Sequence, residues 1–243
     1  MIAYVGEPVT PAGVLLAPEH SLLRQSWAPR YQTHGVVNAD GFGLGWYDPA
    51  VRPEPALYRR TQPIWSDESF ASIAGLLRTP AFLAAIRSAT PGFPLGESAT
   101  PPFADGRWLF AHNGQIEGWR SDAGAEVRAL LSRARAAGLR STVDSEGLFA
   151  LVLGRMDAGD AASSALAAAV TAVKQIAGGR LTCLMTDGAR IVGCTFGDTL
   201  FVRRDRAGVT VASEPYDDDP AWEQAPDMSL ITADPAHTEI STL

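Results

Sequence analysis

Lysine is almost missing from these 243 residues: of 20 basic side chains, only Lys174 is not an arginine. With the abundance of alanine, that bias reads as genomic base composition rather than function. Net charge is −7, and acids and bases are scattered along the chain with no basic stripe, so no nucleic-acid partner is expected. Cysteine is also scarce. Cys183 and Cys194 lie in RLTCLMTDGARIVGCTF, two strand-like runs joined by a turn at Asp187-Gly188. They read as core thiols, since no CxxC or histidine cluster offers a metal site and a reducing compartment disfavours a disulfide. Long apolar runs are lacking too: SSALAAAVTAVKQIAG falls short of a bilayer span and carries the lysine, so no membrane association is expected. The first residues show no basic region leading into an apolar one, which makes the cytoplasm the expected compartment.

Hydrophobic residues make up 46% of the chain and mean hydropathy is +0.01, which suits a globular protein with a sizeable core. Strand-like runs occur at IAYVG, GLGWYD, ALYRRT, AFLAAIRSA, RWLFAHNG, RLTCLMTD, ARIVGCTF, TLFVRRD and GVTVASE. Helical patterns cover Asp67 to Leu77, Ala123 to Ala137, Asp144 to Arg155 and Ala161 to Ile176, with Asp67 and Asp144 as N-caps or first-turn acids. Strands cluster at both ends of the chain with helices between, which favours an α+β layered architecture over alternating parallel units. The segment TPGFPLGESATPPFADG (residues 90–106) is too long for a simple turn and reads as either a binding loop or a surface excursion. EPYDDDPAWEQAPDMS reads as an acidic, proline-broken loop.

Four stretches carry polar residues suited to chemistry. FAHNGQIEG sets His112, Asn113 and Gly114 at the end of an apolar strand, where an Asn amide and a glycine N–H make a sensible donor pair for a developing oxyanion. Read alone, Asn-Gly is a turn signal. AAIRSATPG puts Arg87 at a strand end, and its guanidinium fork matches a carboxylate as well as it would a structural ion pair. STVDSEGLFALVL places Asp144 and Glu146 at a helix start, where either can accept from a ligand ammonium or serve the helix terminus. In NADGFGLGWY, Gly41, Gly43 and Gly45 alternate; in a strand, this leaves one face bare for another backbone or a ligand.

Taken in order, NADGFGLGWY, RSATPG, HNG and DSE resemble the class II glutamine amidotransferases, which are N-terminal-nucleophile hydrolases. The likeness runs from the first strand to about Pro220. QSWAPRYQTHGVVNADGFGLGWY, PIWSDESFASIAGLLR, SATPPFADGRWLFAHNG and VASEPYDDDPAW are similar to the branch that removes glutamate from a γ-glutamyl thio-histidine precursor in ergothioneine biosynthesis. The resemblance implies a four-layer αββα sandwich, with residues 1–243 as one glutamine amidotransferase type 2 domain. It also implies a small-molecule γ-glutamyl substrate and neither metal nor organic cofactor. Carried over, Arg87 holds the glutamyl α-carboxylate and Asp144 accepts from its α-ammonium. Thr90 and His112 belong with them on the substrate side, while Asn113 and the Gly114 N–H form the oxyanion hole.

The nucleophile implied by the resemblance is an N-terminal cysteine, whose own α-amine serves as base. Members of the family begin, once the initiator is removed, with Cys-Arg ahead of a strand like IAYVG. Here Met1 stands where the third residue of the mature protein would be. The expectation is therefore that Met-Cys-Arg lies immediately upstream in frame. The alternatives are a binding protein that does not cleave, or an amidohydrolase of the glutaminase type with another substrate. A trimethylammonium on the leaving group would favour aromatic faces and acids, for which Tyr216, Asp217 and Trp222 are the candidates.

Overall fold

The computed structural model describes residues 1–243. In chain order the first half holds β1 (Ile2–Val9), α1 (Ala12–Leu15), α2 (Leu22–Gln25), β2 (Phe42–Asp48), β3 (Arg52–Arg60), α3 (Glu68–Leu76) and β4 (Thr79–Ile86). Then come β5 (Phe103–Asp105), β6 (Trp108–Ile116), α4 (Asp122–Ala129), α5 (Arg133–Ala137), α6 (Asp144–Asp157) and α7 (Ala162–Ile176). The chain closes with β7 (Gly179–Thr186), β8 (Ile191–Cys194), β9 (Phe201–Arg204), β10 (Gly208–Ala212), β11 (Glu223–Gln224), β12 (Ser229–Ala233) and β13 (Thr238–Thr242).

The strands pair antiparallel in two sheets, of orders β11-β9-β10-β1-β4-β2-β3 and β13-β12-β8-β7-β6-β5. β1 shows why they stack. Its apolar residues point alternately to opposite faces, so both faces must be covered. Met1, Ala3 and Val5 join Ala81, Leu83, Leu109, Ala111 and Leu184 in the core between the sheets. Ile2 and Tyr4 face outward, into a cluster with Leu15 and Leu22 from the first two helices and Phe70 and Ala74 from α3. On the far side, α6 and α7 bury Leu148, Val152, Leu166 and Val170 against Phe110, Cys183 and Val192. The result is the expected α–β–β–α order of layers. No helix is long and apolar enough to cross a membrane.

Local signals explain most of the elements. Asp67 caps α3, its Oδ1 accepting from the Phe70 N–H at 3.0 Å. Asp144 instead sits inside the first turn of α6, with Val143 at the cap position. The helix expected over Ala123 to Ala137 is two pieces. The chain breaks after Ala129, and Ser132 restarts it by accepting from the Arg135 N–H at 3.2 Å. β5, β11, β12 and β13 lie outside the strand-like runs; β11 falls within EPYDDDPAWEQAPDMS, so that segment is not all loop but pairs Glu223 and Gln224 with β9. β5 has three residues, and the mostly exposed TEIST of β13 pairs along its length with β12 at a sheet edge. The bare face of β2 is used by protein: a Cβ on Gly45 would lie 2.6 Å from the Leu109 side chain, and one on Gly43 would overlap the Pro101 carbonyl. Cys183 and Cys194 are cross-strand neighbours, both free and both buried under the helices of the six-stranded sheet.

Candidate active site

A cavity of about 270 Å³ opens where β4 of one sheet and β6 of the other reach their C-terminal ends. Arg87, Thr90, His112, Asn113, Gly114 and Asp144 all line it. Six residues singled out along 58 positions of sequence therefore meet around one space.

Arg87 follows the last residue of β4 and is 8% exposed. Its Nη2 donates to the Pro94 carbonyl at 3.0 Å, but Nη1 is buried without a partner. Burial pulls the guanidinium below its ordinary pKa, opposed by Asp40 and Asp144. A buried donor left unpaired costs about 1–3 kcal/mol, which an anionic ligand would recover. The loop from residue 90 contributes Thr90, Phe93, Ala99 and Phe103 to the wall, so part of that segment lines the cavity rather than running over the surface.

Asp144 has both carboxylate oxygens engaged. Oδ2 accepts from the Ile116 N–H at 2.9 Å, and Oδ1 accepts from the Ser145 N–H at 2.8 Å. Oδ2 keeps a further lone pair for a ligand donor, while Oδ1 also lies 3.4 Å from the Ser145 hydroxyl. Glu146, the other acid of that turn, faces away, accepting from the backbone N–H groups of Arg140 and Ser141. That arrangement removes it from the ammonium role.

His112, Asn113 and Gly114 complete the wall. His112 Nε2 lies 2.9 Å from the Arg180 carbonyl, which can only accept, so this nitrogen carries a hydrogen. Nδ1 lies 3.0 Å from the Ser145 hydroxyl. The imidazole thus ties β6 to β7 and to the first turn of α6. Asn113 is half-buried and faces both this cavity and a smaller one of about 40 Å³ beside Met1. Gly114 has φ of +136°, and a Cβ there would overlap the Arg180 carbonyl. Only glycine allows the chain this turn at this distance.

The smaller cavity is lined by Met1, Asn113, Asp198, Thr199, Ser213 and Glu214 among others. The Met1 amine donates to Ser213 Oγ at 2.9 Å, and burial lowers its pKa to about 5, with Glu214 opposing. Glu214 also accepts from the backbone N–H groups of Arg30 and Gln32, which holds that loop against the site. Sequence reasoning did not single out Ser213, Glu214, Arg180 or Asp198. VASEP, where a strand ends in Ser-Glu, carried the one available signal for the first two.

The leaving-group candidates lie elsewhere. Arg203 occupies them, its guanidinium carbon 4.8 Å from the Tyr216 ring centre and 5.3 Å from that of Trp222. Its Nη1 donates to Asp217 at 2.8 Å, and none of the three residues lines the cavity that holds Asn113 and Arg87. The aromatic-acid cage exists, filled by the protein's own cation.

Comparison with known proteins identifies the family. Residues 19–207 match the family described as class-II glutamine amidotransferases. The gamma-glutamyl-hercynylcysteine sulfoxide hydrolase of Mycolicibacterium smegmatis is 41% identical over 100% of this chain and 98% of its own. The protein of that name from Mycobacterium tuberculosis is 41% identical over 95% of this chain and 90% of its own. Among solved structures, a glutamine aminotransferase class-II domain protein from Silicibacter pomeroyi superposes with a TM-score of 0.73 at 25% identity, covering 100% of this chain and 98% of that one. The glutamine PRPP amidotransferase of B. subtilis shares the fold, with a TM-score of 0.70 at 12% identity over 99% of this chain and 48% of that one. Layers and relatives agree, and the chain belongs to the class II glutamine amidotransferases.

Proposed function

We propose that this protein is an amidohydrolase that releases glutamate from γ-glutamyl-hercynylcysteine sulfoxide, the compound in the names of its 41%-identical relatives. The observation that carries the reading is Arg87, a buried guanidinium with an unpartnered Nη1 in the same cavity as Asp144, Asn113 and Gly114. Arg87 would take the α-carboxylate and Asp144 the α-ammonium, with Thr90 and His112 fixing the glutamyl chain. Asn113 Nδ2 and the Gly114 N–H would receive the oxyanion. Residues 1–243 would act as a single amidotransferase-type unit in the cytoplasm.

The nucleophile in this reading is the thiol of a cysteine two residues ahead of Met1. Antiparallel register supports that position. Ile2 pairs with Ala84 and Ala212, so strand β1 continued backward by two residues runs beside Arg87. Side chains alternate, so that residue would share the inter-sheet face of Met1 and Ala3, and Met1 and Asn113 line the same small cavity. The thiol would attack the γ-carbonyl and pass its proton to its own α-amine. Collapse of the tetrahedral intermediate expels the leaving amine, which takes that proton and leaves a γ-glutamyl thioester for water to hydrolyse. Cys183 and Cys194 are unsuited to the role: they lie on the helix-facing side of the sheet, and burial pushes the Cys183 thiol well up.

The test compares the 243-residue chain with one carrying Met-Cys-Arg ahead of Met1, after mass spectrometry confirms an N-terminal Cys in the second. Glutamate release from the γ-glutamyl substrate is expected from the extended form alone. Turnover by the Met1 form, or none by the verified extended form, would overturn the mechanism.

A further inference from the structure

The cavity has a second arginine that the glutamyl group does not use. β6 and β7 pair with Asn113 opposite Thr182 and Gln115 opposite Arg180, so these side chains share one face of the sheet. Arg180 therefore projects on the side of the oxyanion residue, one strand over. Its aliphatic stem passes over Gly197, where an added Cβ would come within 3.0 Å of Arg180 Cγ. Thr182 fixes the loop beneath it: its hydroxyl donates to the Asp198 carbonyl at 2.8 Å and accepts from the Phe196 N–H at 3.0 Å. Asp198 Oδ2 reaches Arg180 Nε at 3.2 Å, but out of line for a hydrogen bond, so Nε stays buried and unsatisfied.

Charge divides the cavity into two poles. Arg87 follows β4 of one sheet, whereas Arg180 stands on β7 of the other, beside Asp198. Both arginines line the same cavity, and His112 and Asn113 line it with them. A γ-glutamyl amide has matching asymmetry. Its glutamyl α-groups lie on one side of the scissile bond and the leaving amine on the other. If the first pole holds the glutamyl end, a cationic fork at the second suits an anion on the amine side. A glutamine amide, whose leaving group is ammonia, has nothing to place there.

We infer that Arg180, steadied by Asp198, is a specificity-determining residue that binds a carboxylate on the leaving amine, so the site prefers γ-glutamyl amides of amino acids over glutamine and simple γ-glutamyl amides. This rests on the proposed function, whose substrate carries a carboxylate on its cysteine-derived leaving amine, and names the side chain that recognises it. Guanidinium and carboxylate meet fork to fork, which adds both strength and geometry to the choice. Replacing the side chain leaves intact the Arg180 carbonyl to which His112 donates.

The test measures binding by calorimetry to the 243-residue chain, with γ-glutamylalanine and γ-glutamylethylamide as probes that differ by one carboxylate. The parent should bind the alanine compound about 10- to 100-fold more tightly, the range of a charge-assisted pair. R180M should erase that preference while leaving the ethylamide affinity unchanged. R87K should weaken both compounds alike. Equal binding of the two probes by the parent, or a preference that survives R180M, overturns the assignment of Arg180 and leaves the γ-glutamyl reading standing. Failure of the parent to bind either probe overturns both readings.

Discussion

Replacing Asp144 by asparagine should cost stability as well as recognition, because this carboxylate is also a backbone acceptor. It is 5% exposed and receives two N–H donors, Ile116 at 2.9 Å and Ser145 at 2.8 Å. A carboxylate satisfies both. An amide has one acceptor oxygen, and its NH2 would confront the other donor. The Ile116 side is the sensitive one, since that residue is fully buried at the end of the strand carrying Asn113 and Gly114. A hydrogen bond to a charged group contributes about 1.5–3 kcal/mol, and stranding a buried N–H costs a similar amount. At about 2–4 °C per kcal/mol for a chain of this size, D144N should lower Tm by about 3–12 °C. D144A, which frees both donors, should lower it further. Differential scanning calorimetry at pH 7 reads both variants against the parent, and titration with γ-glutamylalanine reads the loss of the ammonium acceptor. A D144N chain that melts within about 1 °C of the parent would refute the structural role of this carboxylate, since bonds of about 1.5–3 kcal/mol leave no room for so small a change.

Two further expectations follow from the same region. G114A should lower the urea midpoint, because φ of +136° and the facing Arg180 carbonyl leave no place for a Cβ; strain alone is worth about 1–3 kcal/mol, and an unchanged midpoint would show that the turn relaxes freely. For the chain beginning at Met1, stability should rise with pH between 5 and 8. Burial keeps the native amine neutral down to about pH 5, whereas the unfolded amine is protonated below 8.0. The unfolded state thus binds the extra proton throughout that window. The full difference is about 4 kcal/mol. Comparing urea midpoints at pH 5.5 and 8 with those of a chain acetylated at Met1 isolates this amine, and identical pH slopes for the two would refute its burial.

Much of the site was legible because strand ends announce themselves. Arg87 and Asn113 each interrupt an apolar run just where the next residues are Ser-Ala-Thr-Pro and Gly-Gln; Arg87 follows β4 directly, whereas β6 continues past Asn113 to Ile116. The longer helices followed from their period, except where Ser132 restarts a helix that the pattern runs through; α1 and α2, of four residues each, are too short to show one. β13 escaped because an exposed edge strand needs no apolar stripe. Arg180 and Asp198 escaped for a different reason. Neither is unusual in its own segment, and Asp198 in FGDT reads as turn chemistry. Their significance depends on β7 lying beside β6 in a register that sets Arg180 opposite Gln115. EPYDDDPAW makes the same point from the other direction. Its rings and acids do form a cation site, as their composition suggested, but β9 pairs with β10 so that Arg203 stands opposite Thr210 and reaches those rings itself. Composition specifies what chemistry a segment can perform. Register decides which partner it meets, and a few residues of sequence do not carry the register of two strands that lie far apart along the chain.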